Sequence, residues 1–384
     1  AERGSVLEEQ STASWVDGFW GHHLTDFRRR PFRAEKTTSG WQIKSLDVED
    51  GDSFSIQSVR ADGAVIVRRQ SFLTPPEDIL VKVSTSVSGW EMESLQRSIE
   101  NDWGQSHDVE DHFCQSSDGT EIHYFLIRPR DHQGQRLPVY LTAYGGFAIA
   151  RLANYSPLLN QLWLGEGGGF VVANIRGGGE FGQDWHFSAR REGRQRCYED
   201  LAAVCEDLFK KNVTSKDQLV FAGGSNGGLL AGNMYTQFSR YFAGILCMNP
   251  LLDMRRYHHL FSGRNWMLEY GDPDVESDWN FMKSWSPFHN VKAEEDHPPL
   301  LITTAITDDR VHPGHARKMA ALIRHLRKDY FFYESLEGGH SGNTHIRHQA
   351  YEAALKFTFL WASVNSRASL SNVGGSRASG RVDS

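Results

Sequence analysis

One short run constrains this chain more than any other. Gly223-Gly224-Ser225-Asn226-Gly227-Gly228 stands between an apolar stretch, Leu219-Val220-Phe221-Ala222, and a helical pattern over residues 228–238. A strand entering and a helix leaving make the run a sharp turn. The residue at its apex is held in strained backbone geometry, and its close neighbours must be glycine to avoid clashes. A serine there presents Oγ at the C-terminal edge of a sheet, against the N-terminus of the next helix, where developing negative charge is favoured. A bare G-x-S-x-G arises often by chance, and some glycine-rich turns carry no chemistry. The flanking strand and helix are what make Ser225 a candidate nucleophile.

A serine hydroxyl needs a base, and a neutral base needs an orienting carboxylate. In the α/β-hydrolase fold these follow in the order Ser, acid, His. Asp308 and Asp309 come just after the apolar run 300–305, and His340 lies in a loop after the strand-like run 330–334, behind Gly338-Gly339. Both are strand-end positions from which a triad converges on the serine. Spacing alone leaves Asp309 open as the acid. His312, His315, His345 and His348 are rival bases, but they fall in or beside predicted helices and read as solvated surface residues. Tyr144-Gly145-Gly146-Phe147 ends an earlier strand-like run, where such hydrolases carry the second half of the oxyanion hole. The Asn226 backbone N–H is the expected first donor, and the Tyr144 hydroxyl or a backbone N–H the second.

The rest of the pattern agrees with that fold. Strand-like runs at 121–127, 138–144, 170–175, 219–222, 245–248, 300–305 and 330–334 alternate with helical runs at 199–211, 228–238, 315–326 and 346–364. Such alternation predicts a mostly parallel sheet covered on both faces over residues 96–365. Residues 1–95 read differently. Short β-type runs at 43–47, 54–59, 64–67 and 79–83 are separated by turn chemistry such as Ala61-Asp62-Gly63 and Pro75-Pro76. They predict a short antiparallel β segment in at most two small sheets. The tail at 366–384 is small and polar, and is expected to be disordered.

Composition narrows the partners. A net charge of −7 argues against nucleic acid and anionic membrane. No apolar run approaches the ~18 residues needed to span a bilayer. The first residues, Ala1-Glu2-Arg3-Gly4-Ser5, show no apolar signal core, and the absent initiator Met leaves that sign weak. Cys114, Cys197, Cys205 and Cys247 have no paired short spacing and are expected to be reduced, which fits a cytoplasmic location. Gly177-Gly178-Gly179-Glu180-Phe181-Gly182 matches G-x-G-x-x-G, but several strands precede it and no helix starts inside it, so no nucleotide cofactor is expected. The pairs His312/His315 and His345/His348 lack acidic or cysteine companions at ligand spacing, so no metal is expected either. Arg28-Arg29-Arg30 and Arg190-Arg191 read as solvated charge.

Taken together, Tyr144-Gly145-Gly146-Phe147, Ala173 through Glu180, Gly223 through Gly228, Asp308-Asp309-Arg310-Val311 and Gly339-His340 resemble the prolyl oligopeptidase family of serine peptidases. The matching segments run in family order over residues 110 to 362. The resemblance implies a cofactor-free, monomeric peptidase acting on short peptides. It selects Asp308 as the triad acid, makes the Tyr144 hydroxyl an oxyanion donor, and makes Arg310 a donor to the peptide backbone beside the cleaved bond. Proline-specific members stack the substrate proline on a tryptophan. The matching segment here is Asn265 through Asp272, so Trp266, Phe147 and Val311 form the expected slot, with Tyr270 four residues on from Trp266. Glu269 is expected to point away from Trp266. A basic-residue specificity, an esterase, and an inactive truncated binding module are the competing expectations. The family carries a β-propeller, and the resemblance alone suggests that 41–85 are its last strands, so the chain resembles a fragment or a truncated relative.

Overall fold

Along the strands of the main sheet, alternate side chains enter two different cores. Ile122, Tyr124 and Leu126 pack on one face and Phe125 and Ile127 on the other; Leu219 and Phe221 oppose Val220 and Ala222; Leu300 and Ile302 oppose Leu301. A period of two with both sides apolar is what a strand needs when helices cover both faces.

The computed structural model describes residues 6–7, 13–15, 18–25, 28–46, 52–83, 89–95, 103–342 and 344–365. The tail expected to be disordered, 366–384, and parts of the N-terminal segment lie outside the described residues. The main sheet has eight strands: β1 (His107–Gln115), β2 (Glu121–Pro129), β3 (Val139–Ala143), β4 (Gly169–Asn174), β5 (Leu219–Gly224), β6 (Gly244–Met248), β7 (Leu300–Ala305) and β8 (Tyr330–Ser335). Their spatial order is β1-β2-β4-β3-β5-β6-β7-β8. β1 and β2 pair antiparallel, as do β2 and β4, and every later pairing is parallel. The fold is therefore an α/β-hydrolase fold. The helices α1 (Gln195–Lys210), α2 (Asn226–Gln237) and α3 (Gly314–His325) cover one face with Leu201, Leu230 and Met319 among the buried residues. The last helix, α4 (Ile346–Asn365), covers the other face through Phe359 and Leu360. No helix among the described residues is long and apolar enough to cross a membrane.

Two antiparallel sheets precede this domain. One has five strands between Val6 and Ser45; the other is a four-stranded meander, Ser53–Val59, Val65–Gln70, Glu77–Val83 and Trp90–Ser94, paired in chain order. They share a core of Trp20, Phe54, Val65, Val67 and Val81, and Trp20 Nε1 donates to Gly63 O at 3.0 Å. Four-stranded meanders of this kind are the units of β-propellers. Strands Gly18–Thr25, Arg28–Thr37, Trp90–Ser94 and His107–Gln115 escaped the sequence reading, because charged and polar residues hide their period. Arg28-Arg29-Arg30 is a correction: these residues open a half-buried strand, and Arg28 Nη2 reaches Asp111 Oδ2 of β1 at 3.1 Å. Between the third and second strands of the meander, Phe72 and Leu73 enter the α4-side core, where Asn160 Nδ2 holds the Phe72 carbonyl at 3.0 Å.

Candidate active site

The turn after β5 has the strain that its composition predicts. Ser225 sits at φ 57°, ψ −118°, and its N–H donates to Met248 O at 2.9 Å on the neighbouring strand. A Cβ on Gly223 would come within 2.0 Å of Gly227 O, and one on Gly228 within 2.8 Å of Pro250 Cα. Backbone atoms cannot yield at those distances, so both positions must be glycine. The serine carbonyl accepts from Gly228 and Leu229 N–H at the start of α2, which aims the turn and its side chain at the sheet's C-terminal edge.

Asp308 follows β7 and is 2% exposed, whereas Asp309 is exposed. Asp308 Oδ2 lies 2.8 Å from His340 Nδ1 and Oδ1 lies 3.1 Å away. The Arg310 and Val311 N–H groups both donate to Asp308 Oδ1 at 2.9 Å. Burial alone would raise the Asp308 pKa, but the His340 hydrogen bond and these two N–H groups outweigh it and hold the carboxyl below its usual range. His340 and Ser225 line one cavity, and Asn249 Nδ2 donates to His340 O at 3.0 Å, fixing the histidine loop to the end of β6. The rival bases are elsewhere. His315 is a correction to the expectation of solvation. It is buried beneath α3, where its Nδ1 accepts from Leu252 and Asp253 N–H, and burial pushes it down to about 4. His345 and His348 are exposed, and His312 packs at a tilt against Phe261 with ring centroids 4.5 Å apart. Possible metal ligands that do come together among the described residues are His258, His259 and Asp274, none of them a member of the two histidine pairs weighed from sequence.

The Tyr144 loop meets the serine turn through a buried side-chain network whose centre, Arg194, the sequence reading did not single out. Asn226 is fully buried; its Nδ2 donates to Tyr144 O at 2.6 Å, and its Oδ1 accepts from Tyr270 Oη at 2.8 Å and from Arg194. A Cβ on Gly146 would sit 2.6 Å from Asn226 Nδ2, so this glycine permits the close approach. Arg194, also fully buried, donates through Nη1 to Glu269 Oε1 at 3.2 Å and lies over the Tyr270 ring at 5.2 Å. Glu269 in turn accepts from Phe147 N–H at 3.0 Å and sits 2.7 Å from His186 Nε2. Phe147 and Ala148 adopt positive φ, 57° and 53°, so this anchoring holds a loop that is strained. Burial raises the Tyr144 hydroxyl, against a hydrogen bond with Ser225 and the charges of Arg194, Arg151 and Arg310.

Trp266 and Phe147 are both part-exposed and pack against the core on the α1–α3 face. Tyr270 and Val311, the other two residues expected at the slot, are buried, at 0% and 2% exposed. Trp266 ends a 3-10 turn, Phe261–Trp266, and Tyr270 ends the short helix Met267–Tyr270, so the four-residue spacing does not put them on one face. Tyr270 instead packs edge-on to Phe147 at 5.6 Å and 88°. Glu269 is buried among the groups just named. Arg310 is exposed. Arg190 and Arg191 are also corrected from solvated charge: Arg190 donates to Leu268 O and Arg191 pairs with Asp278 at 2.8 Å, clamping this segment. All four cysteines are free thiols.

The family model of the prolyl oligopeptidase family matches residues 154–367. The chain belongs to that family. It is 36% identical to an uncharacterized peptidase of Sinorhizobium fredii over 324 residues, 84% of this chain and 44% of the relative. Identity to a prolyl endopeptidase of Dictyostelium discoideum is 32% over 257 residues, 65% of this chain and 34% of the relative. A solved post-proline cleaving enzyme from Rickettsia typhi superposes with a TM-score of 0.88 at 28% identity, covering 95% of this chain and 52% of the other. The chain thus spans less than half the length of these curated relatives.

Proposed function

We propose that this prolyl oligopeptidase family member is a serine peptidase that hydrolyses short peptides on the carboxyl side of proline. Ser225 Oγ attacks the carbonyl, and His340 takes its proton through Nε2 and returns it to the leaving nitrogen. Asp308 keeps the other ring nitrogen protonated and the ring oriented. The Asn226 N–H and the Tyr144 hydroxyl hold the oxyanion. An acyl-enzyme results, which water cleaves by the same route. Arg310, exposed beside the acid, donates to the substrate backbone. No metal or cofactor enters the reaction.

The observation that carries the reading is the 2.8 Å approach of Asp308 Oδ2 to His340 Nδ1 together with a strained Ser225 in the same cavity. For specificity, Trp266 and Phe147 offer part-exposed aromatic surface to a flat apolar ring. A pocket for Lys or Arg needs a carboxylate free to meet the cation. Glu269 is committed instead to Arg194, His186 and the Phe147 N–H.

The test is initial rates on two fluorogenic peptides, one with Pro and one with Arg before the reporter, for the wild type and Ser225→Ala. Pro-dominant cleavage abolished by the substitution supports both triad and pocket. Arg-dominant cleavage overturns the reading of Trp266. Faster turnover of a matched small acyl ester than of the prolyl amide favours the esterase.

A further inference from the structure

A cavity of about 240 Å³ opens beside Ser225 on the side of the sheet away from Trp266 and Phe147. Its wall includes Ser225, His340, Tyr333, Glu337, Glu352 and Lys356. Met248 and Leu355, which also line it, pack into the α4-side core, while Trp266 and Phe147 pack into the core on the opposite face. A peptide attacked at Ser225 extends from its reacting carbonyl in two directions. If the acyl part occupies the Trp266 side, the leaving part is directed toward the α4 side, where His340 also faces the cavity.

Lys356 is the unusual group in that wall. It is part-buried on α4, and among the described residues no hydrogen bond reaches its ammonium. Burial lowers its pKa, and the charge it feels in return is that of Glu352, one turn earlier. Glu337 Oε2 is turned to His348 Nδ1 at 3.2 Å, and Glu352 has an interaction of its own. An ammonium in the wall of a cavity, with no protein acceptor hydrogen-bonded to it, can donate a charge-assisted hydrogen bond to a carboxylate bound there. Resting on the reading of Ser225 and His340 above, we infer that this cavity binds the leaving-group side of the substrate and that Lys356 receives its C-terminal carboxylate. The preferred substrates are therefore peptides with a short segment after the cleaved bond, ending as the free acid. Lys356 is a specificity residue that never touches the reacting atoms.

The experiment follows the rate at which an active-site-directed phosphonate labels Ser225, with alanyl-alanine or its C-terminal amide as protectant. It compares the wild type, Lys356→Met and Lys356→Arg, each checked for folding by circular dichroism. The acid should protect the wild type at about tenfold lower concentration than the amide. Lys356→Met should abolish that difference, and Lys356→Arg should retain most of it. Equal protection by acid and amide, or unchanged discrimination in Lys356→Met, overturns the carboxylate site and leaves the nucleophile reading intact. Failure of the folded wild type to label at all overturns the nucleophile reading, and this site with it.

Discussion

Arg194 and Glu269 form a buried ion pair, Nη1 to Oε1 3.2 Å, directly behind the serine turn. Each partner also reaches the site. Arg194 holds the Asn226 side chain, and Glu269 holds the Phe147 N–H. Removing one charge leaves the other buried without compensation, at a cost of about 3–5 kcal/mol. Glu269→Gln is therefore expected to lower the denaturation midpoint sharply. Because the loop at Tyr144 loses its anchor, kcat should fall in whatever fraction remains folded. Urea denaturation with parallel rate measurements checks both. A stable variant with normal kcat would show that the pair does not position the loop.

Asp308→Asn keeps the shape beside His340 but offers an amide in place of an acceptor-only carboxylate. His340 is then held in the wrong tautomer, and kcat on a prolyl substrate is expected to drop by about four orders of magnitude. Asp309→Asn, on an exposed side chain, should leave the rate near that of the wild type. Equal losses in the two variants would reopen the choice of acid.

Tyr144→Phe removes one proposed oxyanion donor and nothing else of comparable size. A single such donor is worth about 10²–10³ in kcat, with little change in KM. A loss confined to KM would assign the hydroxyl to ground-state binding.

Glu180 is a buried carboxyl that burial pushes up to about 7, against hydrogen bonds from Arg151 N–H and Asn174 Nδ2 and the charge of Arg151. A carboxyl raised in the folded state contributes stability that is complete below its ordinary value of 4.5 and is lost as pH rises to about 7. Glu180→Gln mimics the protonated form. The wild type should lose up to about 3 kcal/mol relative to this variant between pH 4.5 and 8. Denaturant titrations across that range read the difference directly, and a flat difference would refute the buried neutral form.

Much of the site was legible because strand ends are legible. Runs such as Leu219 through Ala222 and Leu300 through Ala305 alternate or run apolar in a way that local sequence reveals. A parallel sheet brings the C-terminal ends of such strands to one edge, so Ser225, the pair Asp308-Asp309 and His340 could be named from position as candidates. The strand Arg28–Thr37 could not, since Arg28 pairs with Asp111, far along the chain. Arg190 and Arg191 failed for the same cause: a partner such as Asp278, 87 positions from Arg191, is invisible to a local pattern.

The amino-acid sequence by itself determined the fold class, the strained turn at Ser225 and the strand ends that carry the candidate acid and base, because each rests on local periodicity, glycine sterics and chain order. Tertiary structure decided what neighbours do. It separated Asp308 from Asp309 by burying one and exposing the other, and it sank Tyr270 below Phe147. It also joined Arg194, Glu269 and Asn226 behind the turn, and set Lys356 in the cavity that Ser225 and His340 share. Those outcomes depend on which distant side chain supplies a partner or excludes water, and desolvation and hydrogen bonding act through space regardless of spacing along the chain.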